Sequence, residues 1–149
     1  SHLIYLTFIS VFTIGSSFSD KDNNIVGIQN NSEMTKIKIT VNTQTFTATL
    51  LDNNSAKAFK EMLPLTIKMI ELNGNEKYCD LNKSLPTNPT NPKTITNGDL
   101  MLYWSETLVL FYETFSTSYS YTKLGQVDNA TGLTSALGSG NVTVTFELE

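Results

Sequence analysis

Between Lys36 and Asn42, Ile37, Ile39 and Val41 alternate with Lys38 and Thr40, and between Thr45 and Leu51, Phe46, Ala48 and Leu50 alternate with threonines. A period of two sends successive side chains to opposite faces, so each run predicts a strand with one face on a core and one in water. Asn42-Thr43-Gln44 is the turn between them. The same alternation closes the chain from Asn141 to Glu149, with Val142, Val144, Phe146 and Leu148 set against Thr143, Thr145 and Glu147. Leu65 to Leu72 puts Leu65, Ile67, Met69 and Glu71 on one face and ends at the Asn73-Gly74 turn, after which Glu76 to Leu81 forms a short strand holding Tyr78 and Cys79. Gly98 to Val127 is denser and reads as three consecutive strands. Of these, Leu100 to Trp104 and Thr107 to Tyr112 are rich in apolar, aromatic and β-branched residues, with only Ser105-Glu106 between them as in a hairpin. Helical spacing is brief. Ala56, Phe59 and Leu63 share a face behind the N-cap candidates Asp52 to Ser55 and ahead of Pro64, and Leu133 to Leu137 supports a turn or two. Asn82 to Asn97, with Pro86, Pro89 and Pro92 among Asn and Thr, reads as a long surface loop. Short strands ending in one that can pair back to the first hairpin predict a mainly β domain over residues 36–149: a closed barrel of about eight strands with two short helices.

Upstream the pattern changes. Residues 3–14 are an apolar run, shorter than the roughly 20 residues of a membrane span and followed by small residues from Gly15 to Ser19. That predicts a signal-peptide-like leader over residues 1–19, its start trimmed or replaced, and then a polar, Asn-rich linker over residues 20–35. A leader implies an extracytoplasmic protein, periplasmic or secreted, or a cytoplasmic one if the run is foreign to the natural chain. It implies no stable membrane insertion of the mature domain.

Composition narrows the chemistry. A net charge of −4 gives no electrostatic footprint for nucleic acid. The single cysteine, Cys79, excludes an internal disulfide and fits a small buried hydrophobe. The only histidine is His2 in the leader, and the 149 residues include no arginine, so histidine-based triads and zinc sites are excluded from the domain and the bidentate anion clamp is missing. Glu71, Glu76 and Asp80 lie close in sequence without forming a recognisable acid–base pair. No catalytic residue, metal site or cofactor is expected, and nothing in the pattern sets an oligomeric state.

Gly98-Asp99-Leu100-Met101, Leu110-Phe111-Tyr112 and Leu124-Gly125-Gln126-Val127 follow one another in the order of the Gly-x-Leu-Ser-Met strand, Gln-Phe-Phe-Ile strand and Phe-Gly-x-Val turn of cyclophilins. Over Lys36 to Glu149 the chain resembles the cyclophilin-like fold. Through Leu72-Asn73-Gly74-Asn75-Glu76-Lys77-Tyr78, Gly98 to Tyr103, and Ser118 to Gly125 it is similar to a family of small bacterial cyclophilin-like domains of poorly defined function. The resemblance implies peptidyl-prolyl isomerisation, which in cyclophilins uses an arginine on the third strand, facing an aromatic floor, to polarise the amide. Here Lys68 is the cation on the third strand, a point charge without the planar fork, so the expectation moves from catalysis toward binding.

Tyr103, Trp104, Phe111, Tyr112, Phe115, Tyr119 and Tyr121 cluster in one stretch. Half of them, Phe111 and Tyr103 first, should fill the barrel. Phe115, Tyr119 and Tyr121 flank the hydroxyl-rich run Ser116 to Ser120, a make-up suited to a small-ligand or peptide site. The candidate ligand-binding residues are therefore Glu71, Tyr78, Tyr103, Phe111, Phe115, Ser118, Tyr119 and Tyr121, with a peptide or small molecule as partner. An atypical isomerase and a purely structural accessory domain are the competing readings.

Overall fold

A computed structural model describes residues 34–149, so the expected leader and the linker up to residue 33 lie outside the described residues. Just before the first strand, the Thr35 carbonyl accepts a hydrogen bond from the Leu50 N–H at 2.9 Å. The alternating runs form β1 (Lys36–Val41) and β2 (Gln44–Leu50), followed by helix α1 (Asn54–Glu61), β3 (Leu65–Leu72) and β4 (Glu76–Asp80). Next come β5 (Thr94–Ile95), β6 (Asp99–Tyr103), β7 (Thr107–Phe111), β8 (Phe115–Ser116), β9 (Thr122–Val127), helix α2 (Leu133–Leu137) and β10 (Val142–Leu148). Eight strands close an antiparallel barrel in the order β1-β10-β3-β4-β7-β6-β9-β2, while β5 and β8 make a separate two-stranded ribbon. The last strand closes the ring: β10 sets Phe146 beside Ile39 of β1 and Val144 beside Ile67 of β3.

Each barrel strand sends its apolar alternates inward. Ile37, Ile39, Leu50, Met69, Leu102 and Leu108 are among the buried side chains of this interior. Phe59 of α1 packs into it with its ring edge-on to Phe146, centroids 5.7 Å apart. The helix starts at Asn54 because the Asn53 side chain caps it, accepting from the Ala56 N–H at 2.7 Å, and the same amide donates to the Lys123 carbonyl at 3.0 Å, tying α1 to β9. Gly125 pairs with Leu50 on one side and Leu100 on the other. A Cβ there would lie 2.3 Å from the Thr49 carbonyl oxygen, so only glycine permits the close approach of β2 and β9. One residue back along β9 the β6–β9 register slips between Leu100 and Met101, a bulge that leaves Leu124 without its own partner on β6 and fully buried.

The structure departs from the sequence expectation in several places, and the stretch Gly98 to Val127 holds four strands, β6 to β9, rather than three. The β6–β7 connection is a three-residue turn, Trp104 to Glu106, because Tyr103 already pairs with Thr107. Trp104 takes a left-handed conformation there (φ 56°) and is 77% exposed. The segment Asn82 to Asn97 is not wholly surface loop: it contains β5, buries Leu85 and Ile95, and bridges Thr90 to Tyr121. Finally, Phe111 and Tyr103 do not fill the barrel. Leu108 and Leu110 point in, so Thr107, Val109 and Phe111 point out, as do Met101 and Tyr103 on the neighbouring strand. The β5–β8 ribbon covers this outer wall, and Ile95, Met101, Val109, Phe111 and Tyr121 form a second core beneath it.

Candidate functional site

The outer wall of β4, β7 and β6 carries side chains in rows across the strands. Tyr78 lies opposite Val109, and Val109 opposite Met101; in the next row Asp80 lies opposite Thr107, and Thr107 opposite Tyr103. The ribbon covers only part of this wall. Beside it runs an open groove of about 380 Å³ lined by Tyr78, Tyr103, Thr107, Val109, Tyr119 and Tyr121 together with Leu72, Asn73, Glu76 and Asp80. Its aromatic side is ordered by edge contacts. Tyr103 meets Tyr119 at 6.4 Å and 87° and Tyr121 at 5.7 Å, and Tyr121 stands at 88° to Phe111 with centroids 5.4 Å apart. Tyr121 is nearly buried at 5% exposure, whereas Tyr119 is 62% exposed and free to meet a ligand.

The groove's charge is one-sided. Glu76 and Asp80 flank Tyr78 on the same face of β4, and no Lys, Arg or His lines the cavity. Asp80 accepts a hydrogen bond from the Thr107 hydroxyl at 2.7 Å through Oδ1. The Glu76 carboxylate is half-buried; burial pushes its pKa above the usual range, and the nearby Glu71 charge adds to the shift. The Tyr121 phenol is pushed up as well, by burial first and then by Glu76, with a hydrogen bond to Thr117 opposing. A tyrosine-walled groove with two acids in its lining can hold a ligand by stacking and by accepting hydrogen bonds. Its lining offers no cation to polarise an amide carbonyl.

The structure brings four of the sequence-derived candidates together in this groove: Tyr78, Tyr103, Tyr119 and Tyr121. Phe111 lies fully buried beneath it, and Phe115 packs on Phe111 at 5.7 Å, rooting the loop that carries Tyr119. The hydroxyl-rich run holds that loop's own shape, Thr117 Oγ1 accepting from the Tyr119 N–H at 3.1 Å. Ser118 is exposed outside the lining, its carbonyl facing Asn91 Nδ2 at 3.5 Å.

Glu71 sits elsewhere, on the inward face of β3, where it meets the buried cation of the barrel. That cation is Lys77, not Lys68, which is exposed. The Lys77 ammonium donates to Glu71 Oε1 at 2.9 Å and to the carbonyls of Gly138 and Gly140 at 2.8 and 2.6 Å. The Tyr112 hydroxyl also donates to Glu71 Oε1, and the Gly74 N–H donates to Oε2 at 2.7 Å. Burial pushes the Glu71 carboxyl up, but the bonds from Tyr112, Lys77 and Gly74 outweigh it and hold the pKa below the usual range. Burial and the Glu71 carboxylate drive the Tyr112 phenol far above its usual range. With its donors all engaged, this cluster is a structural tie. Sequence reasoning missed Lys77, which a three-residue turn centred on Gly74 sets opposite Glu71, and it missed the outward role of Glu76, Asp80 and Val109.

Among the described residues no group of three or more His, Cys, Asp or Glu could hold a metal ion, and no helix is long and apolar enough to cross a membrane. In fold the domain is similar to the solution structure of the hypothetical protein AF2241 from Archaeoglobus fulgidus, with a TM-score of 0.55 and 15% identity over 82% of this chain and 100% of that one. No curated protein matches the sequence. The profile of the Cyclophilin-like family matches residues 39–147, which run from β1 through β10, and the chain therefore belongs to the Cyclophilin-like family.

Proposed function

We propose that the protein is a binding module that takes a peptide or small molecule in the tyrosine groove on the outer wall of its barrel. The observation that carries this reading is the open groove itself. A cavity of about 380 Å³ is of the size that holds a small ligand, and four tyrosines with Leu72 and Val109 line it together with the polar groups of Asn73, Glu76, Asp80 and Thr107. The lining supplies no arginine-like group for isomerisation, which is why binding rather than catalysis is proposed.

Titration of the isotope-labelled protein with capped peptides and small-molecule fragments, followed by NMR, tests it. Ligands are expected to shift the resonances of Tyr103, Tyr119 and Val109. Tyr119→Ala is expected to weaken binding about tenfold by removing one exposed stacking ring and its hydrogen bond. Unchanged affinity in both Tyr119→Ala and Tyr103→Ala would remove the groove as the site. Prolyl isomerisation that disappears in Tyr103→Ala would replace the reading with an enzymatic one.

A further inference from the structure

Resting on the reading of the groove as a ligand site, we propose that it selects a positively charged head group, an alkylammonium or guanidinium, held at Glu76 with its apolar stem along Tyr78 and Val109. Three observations converge on this. The lining carries two carboxylates and no positive side chain, so the groove attracts cations and repels anions. Among the described residues the Glu76 carboxylate has neither a hydrogen-bond nor an ion-pair partner, although it is half-buried beside tyrosines. A carboxylate drawn partly out of water without a partner is destabilised, and a ligand cation is the group that would relieve it. Finally, tyrosine faces attract cations through the ring quadrupole, and Tyr78, next to Glu76 on the same face of β4, lines the same cavity.

The two acids also set a length. Glu76 and Asp80 are four residues apart on one face of β4, roughly 13 Å at the usual strand rise, so a cation at Glu76 leaves the rest of the ligand lying across Tyr78 toward Asp80. One Asp80 oxygen is engaged by Thr107, which makes Asp80 the weaker anchor and Glu76 the determinant.

The test uses n-butylammonium, n-butanol and butyrate, together with capped Gly-Lys-Gly and Gly-Leu-Gly peptides, titrated into the labelled chain. Butylammonium or the lysine peptide is expected to perturb Tyr78, Val109 and Tyr121 and to bind at least tenfold more tightly than its neutral counterpart, the figure for one screened charge pair with its ring contact. Which of the two binds better tells a free amine from a peptide side chain, and either supports the inference. Glu76→Gln is expected to erase most of that preference, with Asp80→Asn lowering it less and a native-like spectrum confirming the fold of each. The preference should also shrink between about 0.01 M and about 1 M salt, as the screening length falls from about 30 Å to about 3 Å. Equal binding of butanol or butyrate, or an unchanged preference in Glu76→Gln, overturns the charge selection while the binding reading stands. If no probe perturbs the groove, both fall.

Discussion

Replacing Lys77 by methionine tests whether the buried cation holds the barrel end together. The side chain is fully buried, and its ammonium spans Glu71 and the Gly138 and Gly140 carbonyls, which belong to the loop between α2 and β10. Methionine keeps most of the apolar stem but removes the charge and all three donors. Removing one partner of a buried pair costs about 3–5 kcal/mol because the other is left uncompensated. Glu71 is 21% exposed and keeps its bonds from Tyr112 and Gly74, which places the expected loss at the lower end, about 3 kcal/mol. For a domain of this size that is a fall in Tm of about 10 °C. Urea unfolding gives the free energy and thermal melting the Tm. A double-mutant cycle with Glu71→Gln should return a coupling of about 1–2 kcal/mol, since the second change removes a charge that has already lost its partner. A Lys77→Met protein within about 0.5 kcal/mol of the parent, a difference typical of neutral surface changes, would refute the argument that this network ties the β10 approach to the barrel.

Gly125→Ala should destabilise the fold by about 3 kcal/mol in urea unfolding, because the new methyl meets the Thr49 carbonyl at 2.3 Å and β2 must move away from β9. Asn53→Ala removes the cap of α1 and its tie to Lys123, with an expected loss of about 1–2 kcal/mol and reduced protection of the Ala56 amide in hydrogen exchange. Acid brings two opposite contributions. The stabilisation held by Glu71 is whole above its ordinary value of 4.5 and drains away as pH falls below that through its depressed folded pKa. Glu76, with a raised folded pKa, weakens the fold at neutral pH and returns that loss as pH falls through the raised value. Unfolding midpoints from about pH 7 to about pH 3 should therefore converge between the parent and Glu71→Gln at the acid end, whereas Glu76→Gln should gain most at neutral pH.

How far the sequence carries depends on which faces of a strand are wet. β1, β2 and β10 have one face in water, so their alternation names both the strand and its inward side, and the barrel follows from pairing the last strand to the first. β7 is apolar on both faces because the ribbon covers its outside, and a continuous run such as Leu108 to Phe111 carries no parity. That is why Phe111 reads as barrel filling when it lies on the outer wall. The ribbon is illegible for a different reason: strands of two residues show no period, and only the pairing of Ile95 with Phe115 reveals them. The groove is half legible. Its aromatics stand out by type, whereas the acids Glu76 and Asp80 acquire meaning only when the β4–β7 register puts them beside Phe111 and Thr107.

The cover over β6 and β7 also sets an order of opening. Every barrel strand is paired on both sides, but the ribbon has two residues per strand, is held by a few backbone bonds such as Thr90 to Tyr121 and Thr117 to Lys93, and rests on the wall through Ile95 and Phe115. Under native conditions it is expected to open before the barrel, and its amides should exchange well before those of β1 or β10. A molecule with the ribbon lifted keeps its barrel yet bares Met101, Val109 and Phe111, a strip able to associate with other chains. Self-association on warming should then follow ribbon opening and begin below the melting of the barrel. A ligand resting on Tyr119 and Tyr121 would act as a latch, holding the ribbon closed and delaying association.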